Sequence, residues 1–417
     1  MAYIDLFAGA GGLSEGFMRA GFEAVAHIEM NSDAVNTIKT RLCYYYLLNN
    51  GQINLYYDYL RKQLTREQLY ALAPDNLLAT ALNYTMTEEN LNEIFEHIDG
   101  LLAARADDNR VEIIVGGPPC QAYSLAGRSK QRREAEARAN GNGMADDQRK
   151  YLYRIYCRFL ERYNPEMFVF ENVPGLISSD NGRHWEDIQN MLRNAGYVID
   201  WLPLNAADFG VPQNRKRIII IGWQIGTRHG FPEFAPIVAD WTINDILNDL
   251  PAIQAGGIGN NYQQEPSPYV AANLRNENDV LTWHVARPHI QRDREIYRIA
   301  TKRWNNYRQR ISYPDLPVNL RTHRNINDFT DRFKVVAGDI PYCHTMLAHI
   351  AKDGHYFIHP DVEQARSLTV REAARIQSFP DSYFFEGSRT SAFTQVGNAV
   401  PPIMAEAIAI ALHEQLY

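Results

Sequence analysis

Along the first 222 residues, apolar and polar positions repeat in a strand, turn, helix rhythm. Residues 3–22, YIDLFAGAGGLSEGFMRAGF, read as a strand, a glycine turn and a helix, and a second strand at 25–28 ends in Glu29. Between 43 and 110 the pattern is weaker. A tyrosine-rich patch there precedes a helix opened by the capping box Thr85-x-x-Glu88, and Asp99 is placed at the end of a third strand region. The run Val111, Ile113, Ile114, Val115, bounded by Gly116-Gly117 and Pro118-Pro119, reads as a buried parallel strand. A helix at 151–163, a strand at 167–170, a helix at 185–195, a strand near 198–202 and the apolar run 218–221 complete the series. This order predicts a doubly wound α/β domain accompanied by a smaller one.

From 223 the rhythm stops, and residues 223–365 are read as the second domain. It resumes with RSLTVREAARIQSFPDSYFF at 366–385, where Thr369-x-x-Glu372 caps a helix and Pro380 ends the pattern. A glycine turn and an apolar helix, QVGNAVPPIMAEAIAIALHEQL, close the chain.

Composition narrows the class. With 417 residues and 45% hydrophobic content the chain can bury one large core or two. No apolar run approaches the roughly 18 residues of a membrane helix and the N-terminus lacks a basic leader, so a cytoplasmic location is expected. Cys43, Cys120, Cys157 and Cys343 are widely spaced, which predicts free thiols and no structural metal. The net charge of -7 argues against a general polyanion binder, so any nucleic-acid surface must be local. Residues 287–334 hold 12 Lys/Arg against 5 Asp/Glu, interleaved with Tyr297, Trp304, Tyr307 and Tyr313. That segment is the expected phosphate-tracking face, with Ile290, Tyr297, Trp304 and Ile311 at heptad spacing turned inward.

Candidate chemistry gathers where the strands end. Gly9, Gly11 and Gly12 allow a tight turn against a ligand, and an acid at the end of the second strand, Glu29, is placed for a ribose's hydroxyls. Cys120 follows a strand through two prolines that fix its direction, and Glu171 follows the next strand, so thiol and carboxylate can face one bound ring. Arg215 and Arg217 alternate before the run 218–221 and are expected on one face, beside the acid and the thiol. The polar stretch after Cys120 is long enough for a lid.

These blocks resemble the DNA cytosine-5 methyltransferases, in order and spacing, over nearly the whole chain outside 224–365. DLFAGAGGLSEGF at 5–17 is similar to the family's cofactor motif, GGPPCQAYS at 116–124 to its nucleophile motif and ENV at 171–173 to its acid motif. QNRKR at 213–217, RSLTVREAARIQSFPDSY at 366–383 and QVGNAVPP at 395–402 match the remaining blocks. The resemblance implies a Rossmann-like, S-adenosylmethionine-dependent fold: an α/β domain (1–222 and 366–417) with a mostly parallel sheet and helices on both faces. It also implies a smaller target-recognition domain, 223–365. Phe7, Gly9, Ala10, Gly12, Glu29, Met30, Asp99, Pro119, Leu152, Asn398 and Ala399 are implied as the cofactor site, Met30 standing where many relatives have an aromatic residue. Cys120 is implied as nucleophile toward cytosine carbon 6, Glu171 as the group facing ring nitrogen 3, and Arg215, with Arg217, as the catalytic arginines. Arg215 is expected to brace Glu171 and the ring oxygen. The product would be S-adenosyl-L-homocysteine.

The target base must be flipped out, and Arg128, Lys130, Arg132 and Arg133 are expected to contact phosphates as the loop closes. The implied partner is double-stranded DNA, with a cognate restriction endonuclease acting separately, no membrane, and a monomeric enzyme of prokaryotic or phage type. Thr345 resembles a family threonine only loosely. Rival readings are a tRNA methyltransferase, disfavoured because 173–196 contains no cysteine, a catalytically inactive DNA-binding relative, and a nicotinamide oxidoreductase, which leaves the proline-fixed cysteine without a role.

Overall fold

Buried β-branched segments define the sheet in a computed structural model that describes residues 1–105, 110–119, 152–322, 326 and 330–417. The strands are β1 (Ala2–Leu6), β2 (Glu23–Glu29), β3 (Ala81–Asn83), β4 (Ile113–Gly116), β5 (Met167–Asn172), β6 (Tyr197–Asn205), β7 (Gln213–Asn214), β8 (Lys216–Gln224) and β9 (Cys343–His344). Seven of them form one sheet in the order β3-β2-β1-β4-β5-β8-β6, and β7 pairs with β9 separately. Every pairing in the large sheet is parallel except those of β8, which runs antiparallel to both β5 and β6. The reversal has a simple cause. Only residues 206–215 join β6 to β8, too few for the crossover that a parallel neighbour requires.

Chain order reverses at β1, which lies between β2 and β4, so the crevice at the carboxyl ends of β1 and β4 is the natural ligand position in such a sheet. Register brings the relevant ends level. Leu6 lies opposite both Ile28 and Gly116, and Gly116 lies opposite Phe170. Gly116 is required there, because a Cβ would sit 2.4 Å from the Leu6 carbonyl oxygen.

One face of the sheet is covered by the helices Gly12–Arg19 and Pro402–Leu416, which approach so closely that a Cβ on Gly16 would lie 2.3 Å from the Glu406 backbone nitrogen. The tail is thus tied to the first βα unit. The apolar residues of 241–281 share a second core with those of 366–399, including Ile243, Leu250, Leu368, Phe379 and Phe393. The boundary drawn at 365 from sequence therefore runs through a common core. Fully buried arginines fasten the two segments: Arg375 pairs with Asp249 as well as Asp381, and Arg366 donates to the Ile253 carbonyl at 2.9 Å while making a two-pronged bond of 2.7 Å per arm to Glu372 in its own segment. Burial alone would raise the Glu372 carboxyl, but Arg366 and then His359 hold it far below the usual carboxylate range. Among the described residues no single helix is long and apolar enough to cross a membrane.

Candidate active site

The turn after β1 is built from left-handed residues. Phe7 (φ +59°), Gly9 (φ +55°) and Gly11 (φ +76°) fold the chain back so that the helix Gly12–Arg19 starts over the sheet edge. Phe7 adopts a conformation that non-glycine residues seldom tolerate, and such outliers mark positions fixed by their surroundings. Glu29 ends β2 beneath this turn. Its Oε2 accepts from the Gly9 N–H at 2.9 Å and its Oε1 from the Asn31 N–H at 2.8 Å. A Cβ on Gly9 would meet nothing within 4 Å, so the turn faces open space. Met30 beside it is 62% exposed, an apolar surface next to a carboxylate.

Beneath the turn, Asp5 is fully buried and accepts from the Ser14 hydroxyl at 2.5 Å. Burial pushes this carboxyl up to about 7, the Ser14 bond pulling it down and the charge of Glu29 adding to the rise. Burial likewise acts to raise Glu15, but Arg41 and then Arg19 outweigh it and hold that carboxyl at about 2.

At the neighbouring strand ends, Glu171 of β5 stands against the chain that leaves β4. A Cβ on Gly117 would lie 2.6 Å from Glu171 Oε2, so a side chain there would push this carboxylate aside. Asn172 donates to the Pro118 carbonyl at 3.2 Å, tying β5 to the double proline. Arg217, at the start of β8, places Nε 2.6 Å from Glu171 Oε1, and both side chains are largely buried.

The two arginines take different partners. Between β7 and β8 the chain breaks at Arg215, and its guanidinium turns to the carbonyls of Met346 (2.7 Å), Gly397 (3.2 Å) and Asn398 (3.5 Å). The expectation that Arg215 braces Glu171 is corrected: that contact belongs to Arg217. Arg215 instead joins the segment after β9 to the tail turn. The same turn carries Asn398, which is exposed, and Ala399, which packs near Gly12; a Cβ on Gly12 would sit 3.1 Å from the Ala399 Cβ and 2.3 Å from the Val400 carbonyl oxygen. Ala399 and Val400 therefore pack against the start of the first helix at Gly12.

Asp99 lies on the helix Leu91–Ala103, paired with Arg162, and beyond it Arg105 reaches Glu23, the first residue of β2. That end of the helix is at the amino edge of the sheet, opposite the edge that carries Glu29. The third strand ends instead at Asn83, whose side-chain amide donates to the carbonyls of Glu29 and Met30, each at 3.0 Å. A three-residue strand gives too short an alternation to be read from sequence, and Asn83 was missed for that reason. The helix cap expected at Thr85 is two residues later, at Thr87, where Asn90 completes the capping box.

Leu152 opens the helix Leu152–Tyr163 and, like Phe7, packs against the core that lies under β1 and β4. Pro119 is half-buried at the last described position before Cys120. Cys120, Arg128, Lys130, Arg132 and Arg133 lie outside the described residues. In the basic segment, the helix Gln291–Tyr307 buries Tyr297 as expected, and Ile311 is buried beyond it, but Ile290 is the exposed residue that caps the helix. Thr345 donates to the Asn214 carbonyl at 2.6 Å across the β7–β9 pair.

A model of the C-5 cytosine-specific DNA methylase family matches residues 1–59 and 82–414. The chain belongs to this family. It is a DNA cytosine-5 methyltransferase, and methyl transfer in the family uses S-adenosylmethionine. It is 40% identical to the type II methyltransferase M.Bpa9945I of Bacillus paralicheniformis over 99% of both chains. It is 32% identical to the type II methyltransferase M1.HphI of Haemophilus parahaemolyticus, over 99% of this chain and 86% of that one. Among solved structures, a putative DNA modification methyltransferase encoded within a prophage of E. coli aligns with a TM-score of 0.61 at 22% identity, covering 100% of this chain and 99% of that one. At that identity the likeness speaks for the fold. The unmatched gap at 60–81 coincides with the short helices Arg66–Tyr70 and Asp75–Leu78, which pack as a local tyrosine-rich cluster with the helix Ser32–Asn49.

Proposed function

We propose that the chain binds S-adenosylmethionine in the crevice at the ends of β1 and β2 and methylates carbon 5 of a cytosine flipped out of double-stranded DNA. Fit to the cofactor rests on the open turn at Gly9, the Glu29 carboxylate below it, and the exposed Met30. Phe7, Ala10, Gly12, Leu152, Asn398 and Ala399 would complete the cavity, with Asn83 holding the strand end that carries Glu29 and Met30. Bound there, the cofactor supplies an electrophilic methyl group on a sulfonium. Glu29 is placed for the ribose hydroxyls and Met30 for a thioether contact with the adenine.

The observation that carries the catalytic reading is the Arg217–Glu171 pair standing against Gly117-Pro118-Pro119, directly before Cys120 in the chain. Carbon 5 of cytosine is a weak nucleophile until a thiolate adds to carbon 6, and Cys120 is assigned that role. Addition drives negative charge toward ring nitrogen 3, where Glu171 shares a proton, and Arg217 holds Glu171 in place from the other side. Once carbon 5 is methylated its proton is removed, and the carbon 6–sulfur bond breaks to release Cys120. Asn172 acts as a positioning residue, because it fixes the Pro118 carbonyl that sets the direction of the following chain. Extracting the base costs a few kcal/mol, recovered through contacts to the surrounding DNA. We assign target recognition to 223–365, whose core continues into 366–399.

Type II relatives support a modification role beside a separate endonuclease. The test is to methylate a mixed-sequence plasmid with the purified protein and S-adenosylmethionine and to map 5-methylcytosine at base resolution, with Cys120→Ser as control. One short motif modified by the wild type alone is expected, and DNA left unmodified while cofactor still binds would overturn the assignment.

A further inference from the structure

A cavity of about 320 Å³ opens beside the β7–β9 pair, outside the site described above. Its lining includes Asn214, Trp304, Arg310, Tyr342, His344 and Thr345. Three features bear on what it holds.

Position is the first. Asn214 in its wall precedes Arg217 by three residues of nearly extended chain, about 10 Å at 3.3 Å per residue. Successive nucleotides on one DNA strand rise about 3.4 Å, so the cavity lies within a few steps of a cytosine held at Glu171. Thr345 and Asn214 are locked together at its mouth by their 2.6 Å hydrogen bond, which makes this wall rigid.

Charge is the second. The neighbouring cations at this end of the helix Gln291–Tyr307 are neutralised: Arg308 pairs with Asp339 at 2.8 Å and Arg303 with Asp315 at 3.6 Å. Among the described residues Arg310 has no such carboxylate, although it is exposed and lines the cavity. Trp304 is anchored by its indole N–H to Asp339 at 2.9 Å, so its ring is held at the cavity edge.

The third is the character of the walls. Val335, Ala337, Ile340, Trp304 and Tyr342 supply apolar and aromatic surface, and Asn214, His344 and Thr345 add polar edges beside it. A phosphate alone needs charge and water, whereas a flat aromatic ring with a polar edge matches this lining.

Resting on the DNA methylation reading, we propose that this cavity takes a nucleobase of the recognition sequence close to the target cytosine, and that Arg310 reads it as guanine. The guanidinium presents two parallel donors that match the O6 and N7 acceptors of guanine, which no other base offers together.

The experiment methylates a DNA library randomised around the wild-type motif, using wild type, Arg310→Ala and Arg310→Gln, and maps 5-methylcytosine at base resolution. Expected is that Arg310→Ala still methylates the target cytosine but loses guanine preference at one neighbouring position by roughly 5- to 150-fold. Arg310→Gln is expected to move that preference toward adenine. Methylation by Arg310→Ala that falls equally on all sequences, with a shallower salt dependence, would mark a phosphate contact and overturn the inference. Unchanged methylation and unchanged preference would place the cavity outside the interface and overturn it too. Wild type that binds S-adenosylmethionine and methylates no DNA would instead defeat the underlying function, so the two failures are separable.

Discussion

Arg217 reaches Glu171 at 2.6 Å, while Arg215, two residues earlier, turns to the carbonyls of Met346 and Gly397. The two guanidiniums should therefore fail differently when removed. Arg217→Ala is expected to lose roughly 10²- to 10³-fold in kcat, the usual cost of one preorganised polar group at a reacting ring, in protein still folded at the assay temperature. Arg215→Ala is expected to lose about 1–3 kcal/mol of stability through buried carbonyls left without donors. Single-turnover methylation beside urea denaturation separates the two, and a wild-type rate for Arg217→Ala would remove it from catalysis.

Glu29 bonds the Gly9 and Asn31 amides and also faces the proposed ribose position. Glu29→Gln turns one acceptor into a donor, and hydrogen bonds to charged groups are worth about 1.5–3 kcal/mol. Calorimetric titration with S-adenosylhomocysteine is expected to show weakening of roughly 10- to 100-fold. Affinity within twofold of wild type would move the cofactor away from Glu29.

Gly16 has no room for a side chain, because the Glu406 amide lies 2.3 Å from where its Cβ would be. Gly16→Ala should force the first and last helices apart and cost about 1–3 kcal/mol. Gly100, in the helix Leu91–Ala103, faces open space, and Gly100→Ala should stabilise by about 0.5–1 kcal/mol. Urea midpoints of opposite sign are expected from the same chemical change.

Burial lifts the Asp5 carboxyl from its ordinary 3.8 to about 7, against the Ser14 bond and helped by the charge of Glu29. The folded protein therefore holds this proton more tightly than the unfolded chain does. Stability from Asp5 is complete below about pH 4 and is lost as pH rises through 7, with a slope of at most about 1.4 kcal/mol per pH unit. Asp5→Asn keeps the shape without the titration. The stability difference, wild type minus variant, is expected to fall between pH 4 and pH 7 in urea titrations, and a flat difference would contradict the shift.

Much of this molecule was legible because the signals are local. A buried run such as 113–116, a glycine turn at 9–12 and a capping box at Thr369 each state their structure within a few residues, since backbone sterics and alternation act at short range. The family blocks pointed further, to Glu171 at the end of β5 and to the tail turn that packs on Gly12. Asp99 was misplaced because a strand end was expected where the helix Leu91–Ala103 runs, and the short β3 left no periodic trace.

The sequence by itself determined the element order, the strand ends that carry chemistry and the family to which the chain belongs. Tertiary structure decided which arginine meets Glu171, that Asn83 and not Asp99 stands by the end of β2, and that 241–281 and 366–399 share one core. Those outcomes depend on contacts between residues as far apart as Arg215 and Gly397, which no local pattern along the chain encodes. Alternation along a chain fixes which face a residue takes; only packing fixes what waits on that face.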